Sequence, residues 1–152
     1  MTANKLEKGF YIWLGLTLLS AFGIFLSSSI EGGPSGAASM AVAEFVRRFI
    51  RLFIDIPPET LNFLVRKVGG HVGVYAVLGF CTANTLKYVV VKSRVFWMAW
   101  AIASAYGVVD EVYQYFVPDR VMAASDMLIN AIGAFIGAGL AYMFFVRGRN
   151  IA

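Results

Sequence analysis

Adjacent carboxylates stand at the end of an apolar run, where the stretch DEVYQYFVPDR begins. Asp110 and Glu111 are followed within this stretch by Gln114 and Arg120. Ionisable side chains are costly in an apolar helix, and they usually face the bundle interior or a water-filled cavity. In such places carboxylates bind polar ligands, coordinate hard cations or transfer protons. The stretch is therefore the first candidate for a functional site.

Two further apolar runs begin with polar residues at helical spacing. His71 and Tyr75 are four residues apart, as are Asp126 and Asn130, so each pair lies on one face of a helix. We expect these faces to pack together with the face that carries Asp110. The candidate ligand-binding residues are Arg66, Lys67, His71, Tyr75, Asp110, Glu111, Gln114, Arg120, Asp126 and Asn130.

The composition places these residues in a membrane protein. Apolar residues make up 59% of the 152-residue chain, charged residues make up 14%, and the mean hydropathy is +0.72. Soluble domains are typically about 45–50% apolar and about 25% charged. The net charge of +4 is typical of basic residues that flank membrane spans, so we expect membrane lipids rather than nucleic acid as partners. We predict one domain, residues 1–152, of the all-α integral membrane class.

No zinc site built from cysteine and histidine ligands is predicted. The chain has a single histidine, a single cysteine at Cys81 and no CxxC motif, whereas such sites take several of these ligands. Cys81 lies in an apolar run, so we interpret it as a small buried hydrophobic residue. No cofactor follows from the sequence.

Four apolar segments predict a bundle of four transmembrane helices, at about residues 9–26, 71–91, 95–116 and 125–146. Each is close to the roughly 20 residues that cross a bilayer. The first segment also resembles a signal peptide, but it is longer than a typical apolar core of about 7–15 residues and no A-x-A site follows. We therefore expect a retained helix, followed by a Ser/Gly/Pro loop at residues 27–39.

Residues 40–56 predict an interfacial helix between the first two spans. Its apolar face consists of Val42, Phe45, Val46, Phe49, Phe53 and Ile56. Its charged face consists of Glu44, Arg47, Arg48, Arg51 and Asp55. A helix with these charges is too polar to cross a bilayer, and its pattern is typical of helices that lie on a membrane surface. Pro57 and Pro58 are expected to end it.

Basic residues near the spans favour a cytoplasmic location for both termini. The loop between the second and third spans holds Lys92 and Arg94, while Asp119 and Arg120 share the loop between the third and fourth. The two tails are also basic, and Arg149 belongs to the second of them. This orientation places the polar ends of the last three spans on the outer side of the cytoplasmic membrane.

Small residues on the same faces as the polar ones predict close helix packing. Gly133 and Gly137 have the GxxxG spacing that lets helices approach each other. We expect an outward-open polar pocket above this packed layer. Neighbouring residues on a helix point about 100° apart. Glu111 should therefore point away from the preceding aspartate, toward Arg66 or Lys67.

A structural polar network is the alternative to a functional site. In that network Asp126 caps the fourth span, and Asp110 pairs with Arg120 or His71. The recurrence of polar residues on three spans and one loop favours a functional site.

These motifs resemble those of the VanZ-like family. DEVYQYFVPDR, with Asp126, Asn130, Gly133 and Gly137, is similar to the family pattern D-E-x-x-Q-x-F-x-P-x-R … D-x-x-x-N-x-x-G-x-x-x-G. RKVGGHVGVYAVLG resembles its basic-x-x-H-x-x-x-Y-x-x-L-G segment, with one extra glycine before the histidine, and IFLSSSI resembles the end of its first helix. The resemblance covers about residues 10–145. It implies a small multi-pass membrane protein associated with resistance to teicoplanin, a lipid-tailed glycopeptide antibiotic.

Two functions from different classes fit these residues. In the first, the pocket binds a lipid, a lipid-linked wall precursor or a lipoglycopeptide. Arg66, Lys67 and Arg120 would then hold its phosphate or carboxylate through charge-assisted hydrogen bonds.

In the second, the protein is a membrane-embedded enzyme, a hydrolase or transferase acting on a lipid-linked substrate. His71 or Asp110 would be the general base, with Glu111 as the partner acid. A divalent cation between Asp110, Asp126 and Asn130 is a further possibility, since hard cations take oxygen ligands. No strong nucleophile signature supports the enzyme, so binding is the preferred reading.

Overall fold

Helices make up the regular structure of the described chain. The computed structural model describes residues 3–147, and Arg149 of the predicted basic tail lies outside the described residues. Between these limits no strand is present, so the all-α class is confirmed. The α-helices are α1 (Ala3–Ser28), α2 (Gly32–Ile50), α3 (Pro58–Leu64), α4 (Val74–Leu86), α5 (Lys92–Gln114) and α6 (Ala124–Ala141). Two π-helical segments continue them, Val65–Gly73 before α4 and Tyr142–Val146 after α6.

Three helices are long and apolar enough to cross a membrane, namely Leu6–Ser28, Lys92–Gln114 and Ala124–Val146. They correspond to the first, third and fourth predicted spans. The second predicted span falls on α4, which has 13 residues. At 1.5 Å per residue, such a helix rises about 20 Å. That rise is shorter than a hydrocarbon core of about 30 Å, so α4 by itself does not reach across a bilayer.

The predicted Ser/Gly/Pro loop at residues 27–39 is wrong for most of its length, because α2 begins at Gly32. Pro34 lies in the first turn of this helix, where a missing N–H leaves no intrahelical hydrogen bond unmade. Several alanines follow, and alanine has the highest helix propensity. α2 also ends at Ile50, six residues before the predicted end of the amphipathic segment, and a turn leads to α3.

Most of the face of α2 that was predicted to be apolar is exposed, although Val46 is partly buried. Phe45 and Phe49 are 63% and 60% exposed. On the charged face, Oε2 of Glu44 lies 3.9 Å from Nη1 of Arg47. Exposed ion pairs of this kind contribute little stability. α2 is therefore an amphipathic helix whose apolar side is largely exposed.

α4 and α6 run parallel and pack against each other through glycines. A Cβ on Gly137 would collide with the carbonyl oxygen of Ala76, and a Cβ on Gly133 would collide with that of Val72. The close packing predicted from the GxxxG spacing is confirmed. It also brings the start of α6 beside the π-helical segment that precedes α4.

α1 and α5 run in the opposite direction to α4 and α6. The Tyr106 hydroxyl donates to the carbonyl oxygen of Ala21 at 2.7 Å, and the hydroxyl oxygens of Thr17 and Thr85 are 2.9 Å apart. α1 and α5 therefore end where the π-helical segment before α4 and α6 begin. We call this part of the bundle the polar end, which comprises Ser28, Lys67, His71, Tyr75, Asp110, Glu111, Gln114, Asp126 and Asn130.

Candidate functional site

His71 lies between two carboxylates of the polar end. Its Nδ1 is 2.9 Å from Oδ1 of Asn130 and 4.0 Å from Oε1 of Glu111. Its Nε2 is 3.5 Å from Oδ2 of Asp126. The two acids come from different helices, α5 and α6. The arrangement brings together His71, Asp126 and Asn130, which the sequence predicted to gather, and adds Glu111, which was expected to point toward Arg66 or Lys67.

Asp126 forms an ion pair with Lys67 through Oδ1. The hydroxyl of Ser125 donates to the same oxygen at 3.3 Å. Asp126 lies in the first turn of α6, where the helix dipole favours a negative charge, but no side chain caps this helix. The capping role considered for Asp126 is therefore wrong, and its carboxylate is held toward the π-helical segment instead.

Glu111 is 0% exposed and faces the start of α6. Its Oε2 accepts a hydrogen bond from the backbone N–H of Ala123 at 3.3 Å, while Oε1 has no partner among the described residues. The expected orientation toward Arg66 or Lys67 is not observed. Lys67 is instead paired with Asp126 at the start of α6.

Asp110 belongs to a separate group of hydrogen bonds. Its Oδ2 accepts from the Tyr75 hydroxyl at 3.1 Å and from the Gln114 amide at 3.0 Å. The same amide donates to Ser28 at 3.2 Å, while Oδ1 of Asp110 is buried without a partner. The pairing of Asp110 with Arg120 or with the histidine, considered above, is not observed. Ser28 was not predicted here, although a run of serines at the end of an apolar helix was the available signal.

Arg120 connects the loop after α5 to the turn between α1 and α2. Its guanidinium donates to the carbonyl oxygens of Ile30 and Ser27 and to the hydroxyl of Ser35, each at 3.0 Å. Burial, and then the positive charge of Arg66, lower the pKa of this guanidinium from its ordinary value.

Backbone contacts also hold the loop after α5 against α2. Asp119 adopts a left-handed conformation with φ of 56°, and a Cβ on Gly32 would collide with its carbonyl oxygen. The N–H of Gly32 donates to the carbonyl oxygen of Pro118 at 3.1 Å. The two halves of DEVYQYFVPDR thus have different structural roles. The first half supplies the polar end, and the second half fixes the start of α2.

The three basic residues predicted to hold an anion are placed differently. Lys67 is engaged with Asp126, and Arg120 is engaged with backbone oxygens and Ser35. Arg66 is exposed and forms no ion pair with any side chain in the described part of the chain. It is the basic side chain of this group that is most open to a ligand.

A possible set of metal ligands is present at the polar end. His71, Glu111 and Asp126 each offer one ligand atom, and these atoms lie within 4.8 Å of one another. This set differs from the predicted Asp110, Asp126 and Asn130. The carboxylate of Asp110 accepts from Tyr75 of α4 and from Gln114, whose amide also donates to Ser28 of α1, so it belongs to the other hydrogen-bonded group.

Apolar helices of spanning length around buried carboxylates define a membrane protein. A family model described as VanZ/LLP1 matches residues 11–145, nearly the whole chain. The protein belongs to the VanZ/LLP1 family, and the resemblance predicted from the motifs is confirmed. No curated protein and no solved structure matches the chain.

Proposed function

We propose that the polar end binds the head group of an anionic amphiphile, either a lipid, a lipid-linked wall precursor or a lipoglycopeptide. VanZ family membership suggests a membrane protein related to glycopeptide resistance. The observation that carries the proposal is that Arg66 is exposed at the edge of the polar end and forms no ion pair with any side chain in the described part of the chain. Arginine binds phosphate or carboxylate through paired hydrogen bonds.

Unused hydrogen-bonding groups lie inside the same end of the bundle. Oδ1 of Asp110 and Nδ2 of Asn130 are buried and have no partner among the described residues. A carboxylate oxygen accepts from a hydroxyl or an ammonium group, and an amide N–H donates to an oxygen. A head group that carries hydroxyl or amino groups beside its phosphate offers hydrogen-bonding partners of the kinds that these atoms lack.

The proposal includes a four-span arrangement in the cytoplasmic membrane, with both termini in the cytoplasm and the polar end outside. α4 and the preceding π-helical segment together give 22 residues, which supports a fourth span. The uncovered apolar face of α2 would lie on the outer leaflet. In a Cys81→Ser, Asp119→Cys variant, an impermeant thiol reagent should label intact cells. Labelling only after lysis would reverse the orientation.

Native mass spectrometry of the protein, purified with its bound lipids, tests the head-group site. In Arg66→Gln the fraction that carries an anionic amphiphile should fall about tenfold or more. The reason is that a hydrogen bond to a charged group contributes about 1.5–3 kcal/mol. Arg94→Gln removes another exposed arginine, at the opposite end of α5, and should leave this fraction unchanged. Equal lipid retention in the wild type and both variants would contradict the proposal.

An enzyme acting on a lipid-linked substrate is the second candidate, and the position of His71 favours it. Carboxylates of Glu111 and Asp126 lie on either side of the imidazole, as in sites where a histidine transfers protons. Purified protein incubated with a lipid extract tests this function by mass spectrometry of the lipids. A mass change that disappears in His71→Gln would support an enzyme and would reject a purely binding role.

A further inference from the structure

We infer that His71, Glu111 and Asp126 form a binding site for a divalent transition-metal ion of the zinc class. Each residue offers one ligand atom within 4.8 Å of the other two. The ligands come from the π-helical segment, α5 and α6, so an ion would connect three elements. Tetrahedral zinc with bonds of about 2.1 Å needs donor atoms about 3.4 Å apart, so binding would draw these side chains slightly together.

Asn130 orients the imidazole for this role. The Asn130 amide presents its oxygen to Nδ1 at 2.9 Å, and with the amide in this orientation the N–H of the ring lies on Nδ1. The neutral ring then has its lone pair on Nε2, which lies 3.5 Å from Oδ2 of Asp126. Two acceptors that face each other repel unless a proton or a cation lies between them. Histidines that bind metals commonly donate their other ring N–H to such a second acceptor.

Glu111 provides an independent observation that points to a ligand. The residue is 0% exposed, and its Oε1 has no hydrogen-bond partner among the described residues. This oxygen lies 4.0 Å from Nδ1 of His71, and a ligand atom of Glu111 lies within 4.8 Å of ligand atoms of both His71 and Asp126. Its other oxygen is held by the N–H of Ala123 at 3.3 Å. A buried carboxylate oxygen without a donor is unfavourable. A bound cation would neutralise this oxygen.

The donor set favours zinc over magnesium or calcium. Magnesium and calcium take oxygen ligands, whereas an imidazole nitrogen suits zinc, iron, nickel and copper. Histidine together with carboxylates is an established ligand combination for zinc, and three protein ligands leave one position open. Lys67 is paired with the second oxygen of Asp126 and would hold that carboxylate in its orientation.

Zinc content of tag-free, detergent-purified protein tests the site. After chelation, reloading with zinc chloride and buffer exchange, the wild type should retain about one zinc ion per chain, as a single site of this type holds. Glu111→Gln and Asp126→Asn should each lose it. Asn130→Ala should weaken zinc affinity by about 10–100-fold, as expected for the group that orients a ligating histidine.

Asp110→Asn is the matched control. Like Glu111→Gln, this substitution removes one carboxylate charge, but from the neighbouring residue of α5. Because the Asp110 carboxylate bonds to Tyr75 and Gln114 and not to His71, zinc retention should be unchanged. Elution volume and circular dichroism show whether each variant is folded. A cobalt-loaded wild type should also give the absorption bands of tetrahedral coordination. A folded wild type that retains no zinc, or equal zinc in Glu111→Gln and the wild type, would overturn the site. The test needs no lipid, so its failure would leave the head-group proposal standing.

Discussion

The two ends of the bundle bury charge in different ways. At the end opposite the polar end, Lys87 is only 7% exposed and donates to Oδ1 of Asn84 at 2.6 Å. Its ammonium also lies 5.4 Å from the ring centroids of Trp13, Tyr88 and Phe145. We call this group the lysine cage. Its charge is surrounded by a hydrogen-bond acceptor and aromatic faces from the chain itself, which is a favourable environment for a cation.

The polar end has groups that the chain does not satisfy. Three buried atoms, Oδ1 of Asp110, Oε1 of Glu111 and Nδ2 of Asn130, have no hydrogen-bond partner among the described residues. A stabilising network would pair these atoms, because each unpaired group costs free energy. The contrast indicates that the lysine cage serves the fold, while the polar end is arranged for something that binds to it.

The largest expected effect comes from a change in the packing that both ends share. Gly137→Ala places a Cβ against the carbonyl oxygen of Ala76, and α4 and α6 must move apart. We expect the free energy of unfolding to fall by about 3 kcal/mol, the upper range for overpacking. Gly139→Ala is the control, since its Cβ would lie 3.7 Å from the Phe96 ring, an ordinary contact. Thermal unfolding in detergent compares the two, and equal transitions would show that the close approach is dispensable.

Lys87→Met tests whether the lysine cage is purely structural. The substitution keeps the length of the side chain but leaves Oδ1 of Asn84 without this donor and removes the cation from the rings. Unfolding free energy should fall by about 2 kcal/mol, within the range for an unsatisfied buried acceptor. Lipid retention and zinc content per folded molecule should not change. A loss of either at normal stability would remove the distinction between the two ends.

Arg120→Ala tests whether Arg120 serves to stabilise the turn between α1 and α2, in contrast to Arg66, which is proposed to bind a ligand. Three hydrogen bonds to Ser27, Ile30 and Ser35 disappear, and two of them are exposed. We therefore expect a destabilisation of about 1 kcal/mol, in the ordinary range for hydrogen bonds near solvent. Arg66→Ala should leave the unfolding transition unchanged, because Arg66 makes no ion pair in the described part of the chain. Equal destabilisation by both substitutions would mean that Arg66 is also structural.

Asp110→Asn should have the smallest effect on stability and a large effect on function. An asparagine oxygen can still accept from Tyr75 and Gln114, so the unfolding free energy should change by less than about 0.5 kcal/mol. The charge that faces the proposed head group is lost. Teicoplanin tolerance conferred on a susceptible Gram-positive host should therefore drop to the level of the empty vector at matched protein abundance. Wild-type tolerance would argue against a role for this carboxylate in binding.

The sequence predicted which residues gather, because polar positions at the ends of apolar runs fall at a common depth once helices pack. It did not predict which residues touch. Glu111 faces His71 and Ala123 rather than a basic residue, and this depends on where α6 packs against α5. The lysine cage was also missed. Trp13 and Phe145 come from opposite ends of the chain, and no local pattern relates them to Lys87.

The π-helical segment before α4 explains how the chain accommodates one glycine more than the family pattern has before the histidine. A π-helical turn closes its hydrogen bond one residue later than an α-helical turn, so Val65–Gly73 can hold an added residue. The insertion then changes the local width of the helix and leaves the angular positions of the residues after it unchanged. Removing Gly70 should therefore convert this segment to a regular α-helix while His71 still reaches Asn130. The chain thus has one residue more before α4, and the side chains of α4 keep their directions. Relatives whose chains differ in length at this segment should therefore be able to keep the same polar end.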